Sequence, residues 1–505
     1  MWNERVLTRK EVLLLFSALS LLYIYPFIHA DYAYIDDNWR ALSQAEDAWR
    51  NQGRILLELL YRGLTFSSGM VNIFPLPLLI SVLALAWAMC RLTFWLFQYP
   101  RVSSCLVVLP VLCNPYYLGN LTYQYDGPGM NLALVAVIGA ITLRIEHVLW
   151  RGLAAAALIA VTLSLYQLTI SLFIGLCVIE FIVGVRNQVR ASELLGLIAQ
   201  RVAQLVGGAV LYFLSAYQWA IDGRGEWTEL DAAWRGEVAR KFVFAMEHIG
   251  VLVTPGNSLV VALVLLLATC GFLQLMRLIP RLQGTTSAKV AITVVYVLSV
   301  PLLIVSVPGV MLFVMEKNLD ARNFISFGAV LILLFYLSDH ILGRLCQGAR
   351  MLLVVPTLLM FTLCYAYGQV IVAKKELAFA MAGFIARDIV SHEALRNVST
   401  FFYVAPQTGG NWLPRAWPAT QAMPVLTYVL SGSNNVLHPH FLPRLGINNV
   451  IYGDPPLFKQ RVSVQQKPVV DSKFYSIYIT GDTGFIVIKE ITDAENYNLN
   501  WPVAP

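Results

Sequence analysis

The sequence predicts an all-α bundle of about eleven membrane-spanning helices, followed by a small α/β domain. Three observations predict this fold class. Of 505 residues, 58% are hydrophobic and only 13% are charged, whereas about 25% are charged in soluble domains. Apolar runs long enough to cross a bilayer recur up to residue 372 and then stop. The remainder alternates short β-prone segments with Pro, Gly and Asn clusters, as small mixed domains do.

The positions of the apolar runs define the spans. The first run follows a basic segment ending at Lys10, and it is too long for a secretory signal, which favours an uncleaved span. The short run 129–143 and the break at Tyr166 and Gln167 leave roughly nine to twelve spans open. The predicted spans are 12–30, 74–97, 102–118, 129–143, 149–166, 168–185, 203–221, 257–276, 290–313, 323–341 and 351–372.

Basic residues between the spans predict the orientation. With the N-terminus in the cytoplasm, every other loop carries cations, as the positive-inside rule requires. These cations are Arg5, Arg9, Lys10, Arg101, Arg144, Arg151, Arg186, Arg190, Arg201, Arg277, Arg281, Lys289, Arg344 and Arg350. Topology therefore explains the net charge of +6, and the absence of a continuous basic stripe argues against a nucleic-acid partner.

Two domains follow from this topology. We predict a membrane domain, residues 1–373, and an extracytoplasmic α/β domain, residues 374–505. The outer loops of the membrane domain are 31–73, 119–128, 222–256 and 314–322. The β-prone runs of the second domain are 401–404, 449–452, 474–479 and 485–489, and the glycine-flanked turn between the last two is a hairpin signal. His438 and His440 flank a proline in a loop and are expected to be solvated. The seven cysteines lie in or beside apolar runs and are expected to serve packing.

Paired acids directly follow the first span. Asp36 and Asp37 are adjacent carboxylates that repel each other, so one of them can have a raised pKa and act as a general acid or base. Arg40 can hold a phosphate through two hydrogen bonds. The acids could alternatively bind Mg²⁺ or Mn²⁺. A helix start capped by Asp37 would explain the same residues, so these alternatives stay open.

The segment NPYYLGNLTYQYDGPGM forms a second polar loop on the same side. It contains Asn120, Tyr123 and Asp126, which are residue types that surround sugar hydroxyls and are also ordinary in loops. Tyr166 and Gln167 interrupt an apolar stretch. Polar groups near hydrocarbon are expected to face the interior of the bundle, where they could serve either a substrate or helix packing.

A further outer loop reads MEKNLDARNF and contains Glu316, Lys317 and Arg322. The positive-inside rule does not explain cations on this side of the membrane. A phosphate or pyrophosphate ligand would explain them, as would a loop held together by salt bridges.

The chain resembles the bacterial serotype-converting O-antigen glucosyltransferases of the Gtr type. The motifs that carry the resemblance are, in order, DDNWR after the first span, GR at Gly53 and Arg54, FPLP at Phe74 to Pro77, NPYYLGNLTYQYDGPGM and SLYQ. They cover most of the membrane half, and the C-terminal part is not matched. The resemblance implies a GT-C superfamily fold in the bacterial inner membrane. Together with the odd number of predicted spans, this would place the C-terminal domain in the periplasm.

The resemblance also implies a reaction. A glucosyl group would move from undecaprenyl phosphate glucose to the lipid-linked O-antigen of lipopolysaccharide on the periplasmic face. The expected partners are this donor, a lipid-linked glycan acceptor, membrane lipids, and the synthase and flippase of the donor lipid. No cofactor is expected, with a divalent cation as the alternative noted above.

An inverting transfer needs a carboxylate to accept the acceptor's proton and cations to stabilise the departing phosphate. The expected catalytic acids are Asp36 or Asp37, with Asp126 as the third candidate. The expected substrate contacts are Arg40, Arg54, Asn120, Tyr123, Tyr166, Gln167, Glu316, Lys317 and Arg322.

Three other functions remain open. The first is a GT-C transferase that uses another sugar, such as mannose, arabinose or galactose, or another acceptor. The second is a lipid-linked sugar flippase, although a transporter is expected to carry charges near the bilayer midplane. The third is a structural subunit of an envelope complex, which would leave the acids and arginines without a shared purpose.

Overall fold

The computed structural model describes residues 5–42, 48–221, 228–229, 231–315, 319–405, 413–430 and 439–489. The chain forms two compact units. The first, called the bundle unit, comprises Met1–Ile28 and Gln44–Tyr365. The second, called the sheet unit, comprises His29–Ser43 and Ala366–Pro505. The loop after the first helix therefore groups with the C-terminal part, and the predicted functional boundary at residue 373 stays a prediction.

Within the described residues, 10 helices are long and apolar enough to span a membrane, and Gly127–Thr142 is a shorter apolar helix. The polytopic bundle with a small α/β domain is thereby confirmed. The helices up to the last span are α1 (Arg9–Ala30), α2 (Asp37–Leu42), α3 (Ile55–Thr65), α4 (Leu76–Leu96), α5 (Val102–Val108), α6 (Pro110–Cys113), α7 (Leu118–Thr122), α8 (Gly127–Thr142), α9 (Val148–Leu165), α10 (Ile170–Arg186), α11 (Ala191–Leu214), α12 (Trp234–Gly250), α13 (Ser258–Met276), α14 (Thr286–Val305), α15 (Phe327–Leu345) and α16 (Val354–Ser391).

Helix breaks bring the polar loops to one end of the bundle unit. Helix α9 ends because Tyr166 has an extended backbone (φ −158°, ψ 107°). Since α8 and α9 are successive packed helices, the start of α8 and the end of α9 lie at the same end. The start of α15 joins them, because Ser326 Oγ donates to the Ser171 carbonyl at the start of α10, at 3.0 Å.

A buried ion pair connects helices α10 and α11. Arg201 on α11 donates to Glu180 on α10 through Nε and Nη2, each at 2.7 Å. The same guanidinium donates to the carbonyls of Ala140 and Ile141 near the end of α8, at 3.3 and 3.0 Å. Charged side chains inside a membrane bundle are tolerated when they are paired in this way. The pair therefore fixes α8, α10 and α11, whose other ends carry the polar loops.

The sheet unit contains a five-stranded sheet in the order β2-β1-β5-β4-β3. Strand β1 pairs in parallel with β2 and β5, whereas β4 pairs antiparallel with β3 and β5. The predicted hairpin is confirmed, with Gly481 at φ 63° in the turn between β4 and β5. The strands are β1 (Thr400–Val404), β2 (Val450–Gly453), β3 (Val470–Asp471), β4 (Tyr475–Thr480) and β5 (Thr483–Ile488), and the remaining helices are α17 (Glu393–Arg396), α18 (Trp417–Ala422), α19 (Val425–Val429) and α20 (Pro455–Arg461).

The core of the sheet unit forms where α16 covers the sheet. Apolar residues on one face of α16 recur at helical spacing and are buried against inward-facing side chains of the strands. The helix contributes Ala378, Met381, Ala382, Ile385 and Ile389, and the strands contribute Phe401, Tyr403, Ile477, Ile486 and Ile488.

Candidate functional site

Arg54 connects three of the other predicted site residues within the bundle unit. The left-handed Gly53 (φ 71°) ends a short 3-10 helix and turns the chain toward α3. Arg54 Nη1 lies 3.5 Å from Asp126 Oδ1, and Arg54 Nε donates to Gln167 Oε1 at 3.3 Å. Its guanidinium carbon lies 4.9 Å from the ring centroid of Tyr166. Motifs distant in sequence thus meet around one guanidinium.

Asp126 has a second partner that the sequence did not reveal. Trp49 Nε1 donates to Asp126 Oδ1 at 2.7 Å. Trp49 lies in a turn, is 1% exposed, and packs on Tyr61 with the ring centroids 4.9 Å apart. A buried indole N–H needs an acceptor. That need was the available signal, although the sequence does not say which acidic residue meets it.

Gln167 is held by hydrogen bonds on both sides of its amide. Its Nε2 donates to the Gln52 carbonyl at 2.9 Å and to Tyr212 Oη at 3.0 Å. This leaves Oε1 facing Arg54, as described above. Tyr212, near the end of α11, was not predicted. It lies in the apolar C-terminal stretch of α11, where a tyrosine is an ordinary residue.

Arg322 occupies the loop before α15. Its Nη1 donates to Tyr123 Oη, and its Nη2 lies 3.1 Å from Asp320 Oδ2. The side chain of Arg322 is 30% exposed, so solvent reaches it. The predicted contacts Glu316 and Lys317 lie outside the described residues.

Both groups of charges converge on Tyr166, which is 3% exposed. Its phenol interacts electrostatically with the guanidinium groups of Arg322 and Arg54 and with the carboxylates of Asp126 and Asp320. All four charges are therefore close to one hydroxyl group. We call Arg54, Asp126, Tyr166, Asp320 and Arg322 the Tyr166 cluster. It contains two cations and two anions.

Asn120 lies on α7, within the core of the bundle unit. It is fully buried, and its Nδ2 lies 3.2 Å from Met130 Sδ. Within the described part of the chain, Asn120 Oδ1 has no hydrogen-bond partner. Its role as a substrate contact stays a prediction, because a ligand could reach it only if neighbouring side chains moved.

A cavity of about 660 Å³ lies between α3, α9 and α11. Ile55 and Leu56, the residues that follow Arg54, form one part of its wall. Small and branched residues at the ends of α9 and α11 form much of the rest, and the list is Ala157, Ala160, Val161, Leu211 and Leu214. The cavity is therefore largely apolar and large enough for part of a lipid chain.

The other predicted acids belong to the sheet unit. Asp37 begins α2, is fully buried, and accepts a hydrogen bond from the Tyr34 amide through Oδ2 at 2.9 Å. Asp36 is partly exposed. Arg40 is 2% exposed, and its guanidinium carbon lies 5.7 Å from the Trp39 ring centroid. Asp37 thus stabilises its own turn, and Asp36 is the more accessible carboxylate.

Asp36 lies near two residues from the C-terminal part of the sheet unit. Burial lowers the pKa of His440, and Asp36 opposes that change. Burial also raises the pKa of Tyr452 to about 12, with a further contribution from Asp36. The rings of His440 and Tyr452 meet edge to face at 5.6 Å. The expectation that His440 is solvated was wrong, because the aromatic packing half-buries it, and His438 lies outside the described residues.

A bound metal ion needs several ligating side chains close together. In the described ranges, no three His, Cys, Asp or Glu side chains are grouped closely enough to hold a metal ion. One carboxylate oxygen of Asp37 is occupied by a backbone amide. The alternative of Mg²⁺ or Mn²⁺ at the paired acids stays a prediction.

Comparisons with known proteins bear on the family. A Salmonella phage P22 protein, described as an uncharacterized 55.3 kDa protein in the gtrB 5′ region, is 23% identical over 203 residues. The alignment covers 40% of this chain and 41% of that protein, so the chain spans under half the length of this relative. No solved structure matches the chain.

The family model described as glucosyl transferase GtrII matches residues 25–366. The match covers more than half of the chain and includes both Asp36 and the whole Tyr166 cluster. It confirms the resemblance that the motifs suggested. The chain belongs to the GtrII glucosyl transferase family.

Proposed function

We propose that the protein is a membrane glucosyltransferase that moves glucose from undecaprenyl phosphate glucose to a lipid-linked O-antigen or a related surface glycan. The transfer would occur on the periplasmic face of the bacterial inner membrane and would invert the anomeric configuration. The observation that carries this proposal is the Tyr166 cluster, where two arginines act on one buried tyrosine. It is joined by an apolar cavity whose lining begins at Ile55, the residue after Arg54. The family assignment supports glucose as the sugar.

The chemistry assigns a task to each part of that arrangement. The acceptor hydroxyl oxygen attacks C1 of glucose and forms the new glycosidic bond while the bond from C1 to the phosphate oxygen breaks. The acceptor proton passes to a carboxylate, and polyprenyl phosphate departs with the bonding electrons. Arg54 and Arg322 would stabilise the negative charge on that phosphate through charge-assisted hydrogen bonds.

The apolar cavity supports a lipid donor rather than a soluble nucleotide sugar. Ile55 and Leu56 line it, so it begins one residue after Arg54. A donor whose phosphate contacts Arg54 could place the first isoprene units against the apolar side chains of α9 and α11. Burial of such units is favourable by about 0.8 kcal/mol for each methylene removed from water.

Three carboxylates are candidates for the base, and their contacts in the structure differ. Asp126 accepts a hydrogen bond from Trp49 and is paired with Arg54, and these two contacts orient its carboxylate. Asp36 is the more accessible member of the adjacent pair. Asp37 is committed to its own turn. We therefore propose that Asp126 or Asp36 accepts the proton and that Asp37 holds the loop.

The test is a reaction with purified full-length protein in detergent. A panel of polyprenyl phosphate sugars is supplied with a lipid-linked glycan acceptor, and release of polyprenyl phosphate is followed together with acceptor glycosylation. We expect release with the glucose donor only when the acceptor is present. Release from a mannose, arabinose or galactose donor instead would correct the sugar. Movement of the intact donor across a proteoliposome membrane without release would replace the enzyme by a flippase.

Variants Asp36→Asn, Asp37→Asn and Asp126→Asn then separate the roles of the acids. Loss of the proton acceptor should lower kcat by roughly 100- to 10,000-fold with the fold intact. Asp37→Asn should instead lower thermal stability. Wild-type turnover in all three folded variants would reject a carboxylate base. A reporter fused after Ala373 tests the proposed topology, because a cytoplasmic signal would contradict a periplasmic C-terminal domain.

A further inference from the structure

A second cavity, which is polar and has a volume of about 650 Å³, lies at the other end of the bundle unit. Arg9, Arg101, Arg144, Arg186, Arg350 and Asp339 are among the residues that line it. Helix α10 runs from the neighbourhood of Tyr166 to Arg186 over 17 residues, which is about 25 Å. The cavity is therefore well separated from the Tyr166 cluster and is a different site.

Charge in this cavity is strongly unbalanced. Five arginines and one aspartate line it, which gives a formal charge of +4. Asp339 is 1% exposed, and its Oδ1 lies 3.7 Å from Arg350 Nε. Guanidinium groups that share one cavity repel each other unless an anion lies between them. The single carboxylate compensates only part of that repulsion.

Several guanidinium groups are held in place while their hydrogen-bonding capacity is incompletely used. Arg186 Nη1 donates to Tyr336 Oη at 2.9 Å. Arg9 lies over the ring of Phe94, with its guanidinium carbon 5.5 Å from the centroid. Within the described residues, Arg101 Nη1 is buried without a hydrogen-bond partner. Arg350 Nε also lacks a hydrogen bond, although it lies 3.7 Å from Asp339 Oδ1. Buried donors of this kind favour an acceptor supplied by a ligand.

Topology alone does not explain this geometry. The positive-inside rule accounts for arginines in these loops, but it is satisfied equally by solvated side chains. Arg190, with 66% of its side chain exposed, and the exposed Arg344 illustrate that ordinary arrangement. The convergence of five arginines on one cavity needs a separate cause.

We propose that this cavity binds a phosphate-bearing anion. The ligand is either the headgroup of an anionic phospholipid or a soluble phosphate compound, since both present oxygens that match guanidinium groups. Phe94 and neighbouring aromatic residues in the wall suit a headgroup at the membrane surface. The site does not depend on the proposed transfer reaction, and its occupancy would stabilise the end of the bundle remote from the Tyr166 cluster.

The experiment measures thermal unfolding of purified full-length protein in a zwitterionic detergent. Inorganic pyrophosphate is the soluble probe, phosphatidylglycerol is the lipid probe, and phosphatidylcholine is the neutral lipid control. We expect at least one anionic probe to raise the unfolding midpoint in a saturable way, and high salt to reduce that rise. A rise with phosphatidylglycerol alone identifies a headgroup, and a rise with pyrophosphate alone identifies a soluble ligand.

Variants assign the effect to the cavity. Arg101→Gln combined with Arg350→Gln should abolish the ligand-dependent rise in the unfolding midpoint. Arg144→Gln should weaken binding roughly tenfold, and because Arg144 is exposed, this substitution does not alter a buried side chain. Asp339→Asn should tighten binding because it removes the only carboxylate among the lining groups named above. Arg190→Gln and Arg344→Gln are matched controls that should respond as wild type. The proposal fails if no anionic probe stabilises the wild type, or if Arg144→Gln and Asp339→Asn both bind as wild type does.

Discussion

Arg54→Gln is the substitution that tests the proposed donor site most directly. Arg54 contacts Asp126, Gln167 and the Tyr166 ring, and 20% of its side chain is exposed. If the guanidinium also holds the donor phosphate, its removal deletes a hydrogen bond to a charged group, worth about 1.5–3 kcal/mol. At about 1.4 kcal/mol per factor of ten, kcat/KM for the donor should fall roughly 10- to 150-fold.

The assay is release of polyprenyl phosphate at low donor concentration, with protein folding checked by thermal unfolding. Arg54→Lys should lie between the wild type and the glutamine variant, because lysine keeps the charge and loses the forked geometry. Arg62→Gln is the matched control, since Arg62 belongs to the following helix and pairs with Glu58 at 2.9 Å. Its kcat/KM should stay within about twofold of wild type. If folded Arg54→Gln protein behaves like this control, Arg54 does not bind the donor.

Three further substitutions test the structure of the bundle unit and of the sheet unit. Gly53→Ala should destabilise the protein by about 1–2 kcal/mol, because Gly53 has φ 71° and an added methyl would meet Tyr212 Oη. The control Gly63→Ala, with open space around the residue, should not destabilise the protein. Equal unfolding midpoints for the two variants would contradict backbone strain at Gly53. Glu180→Gln should destabilise by about 3–5 kcal/mol in denaturant unfolding, since it leaves Arg201 buried without its anion; an unchanged midpoint would show that the pair is dispensable. The folded state lowers the pKa of His440, so unfolding by acid is favoured as the pH falls below the unfolded value of about 6.5. The unfolding midpoint of His440→Gln should consequently decline less than that of wild type between about pH 7.5 and pH 5.5, and parallel declines would reject this role.

The sequence predicted those features that depend on local pattern. Apolar runs have the length of the bilayer, so the spans could be placed, including the short helix Gly127–Thr142. The turn at Gly481 could be placed because few residues adopt its positive φ. Tyr166 and Gln167 could be selected because polar groups at span ends need a reason to be there. Arg54 was selected through the family resemblance, as part of its GR motif.

Pairing between distant segments could not be predicted in the same way. Nothing in the local sequence indicates that Trp49 donates to Asp126 or that Tyr212 bonds Gln167, since each contact joins elements that meet only after the bundle packs. Strand β3 has two residues, too few to show an alternating pattern. The parallel pairing of β1 with both β2 and β5 likewise depends on long connections.

The two polar ends of the bundle unit differ in charge balance, and this difference bears on how each would bind an anion. In the Tyr166 cluster, Asp126 and Asp320 already pair with Arg54 and Arg322. A phosphate arriving there must compete with protein carboxylates, which suits a site that binds its donor and then releases the product. In the cavity lined by Arg101 and Arg350, one aspartate faces five arginines. An anion bound in that cavity displaces few protein carboxylates from the arginines, which favours a long residence time. At the Tyr166 cluster, competition with the carboxylates favours turnover.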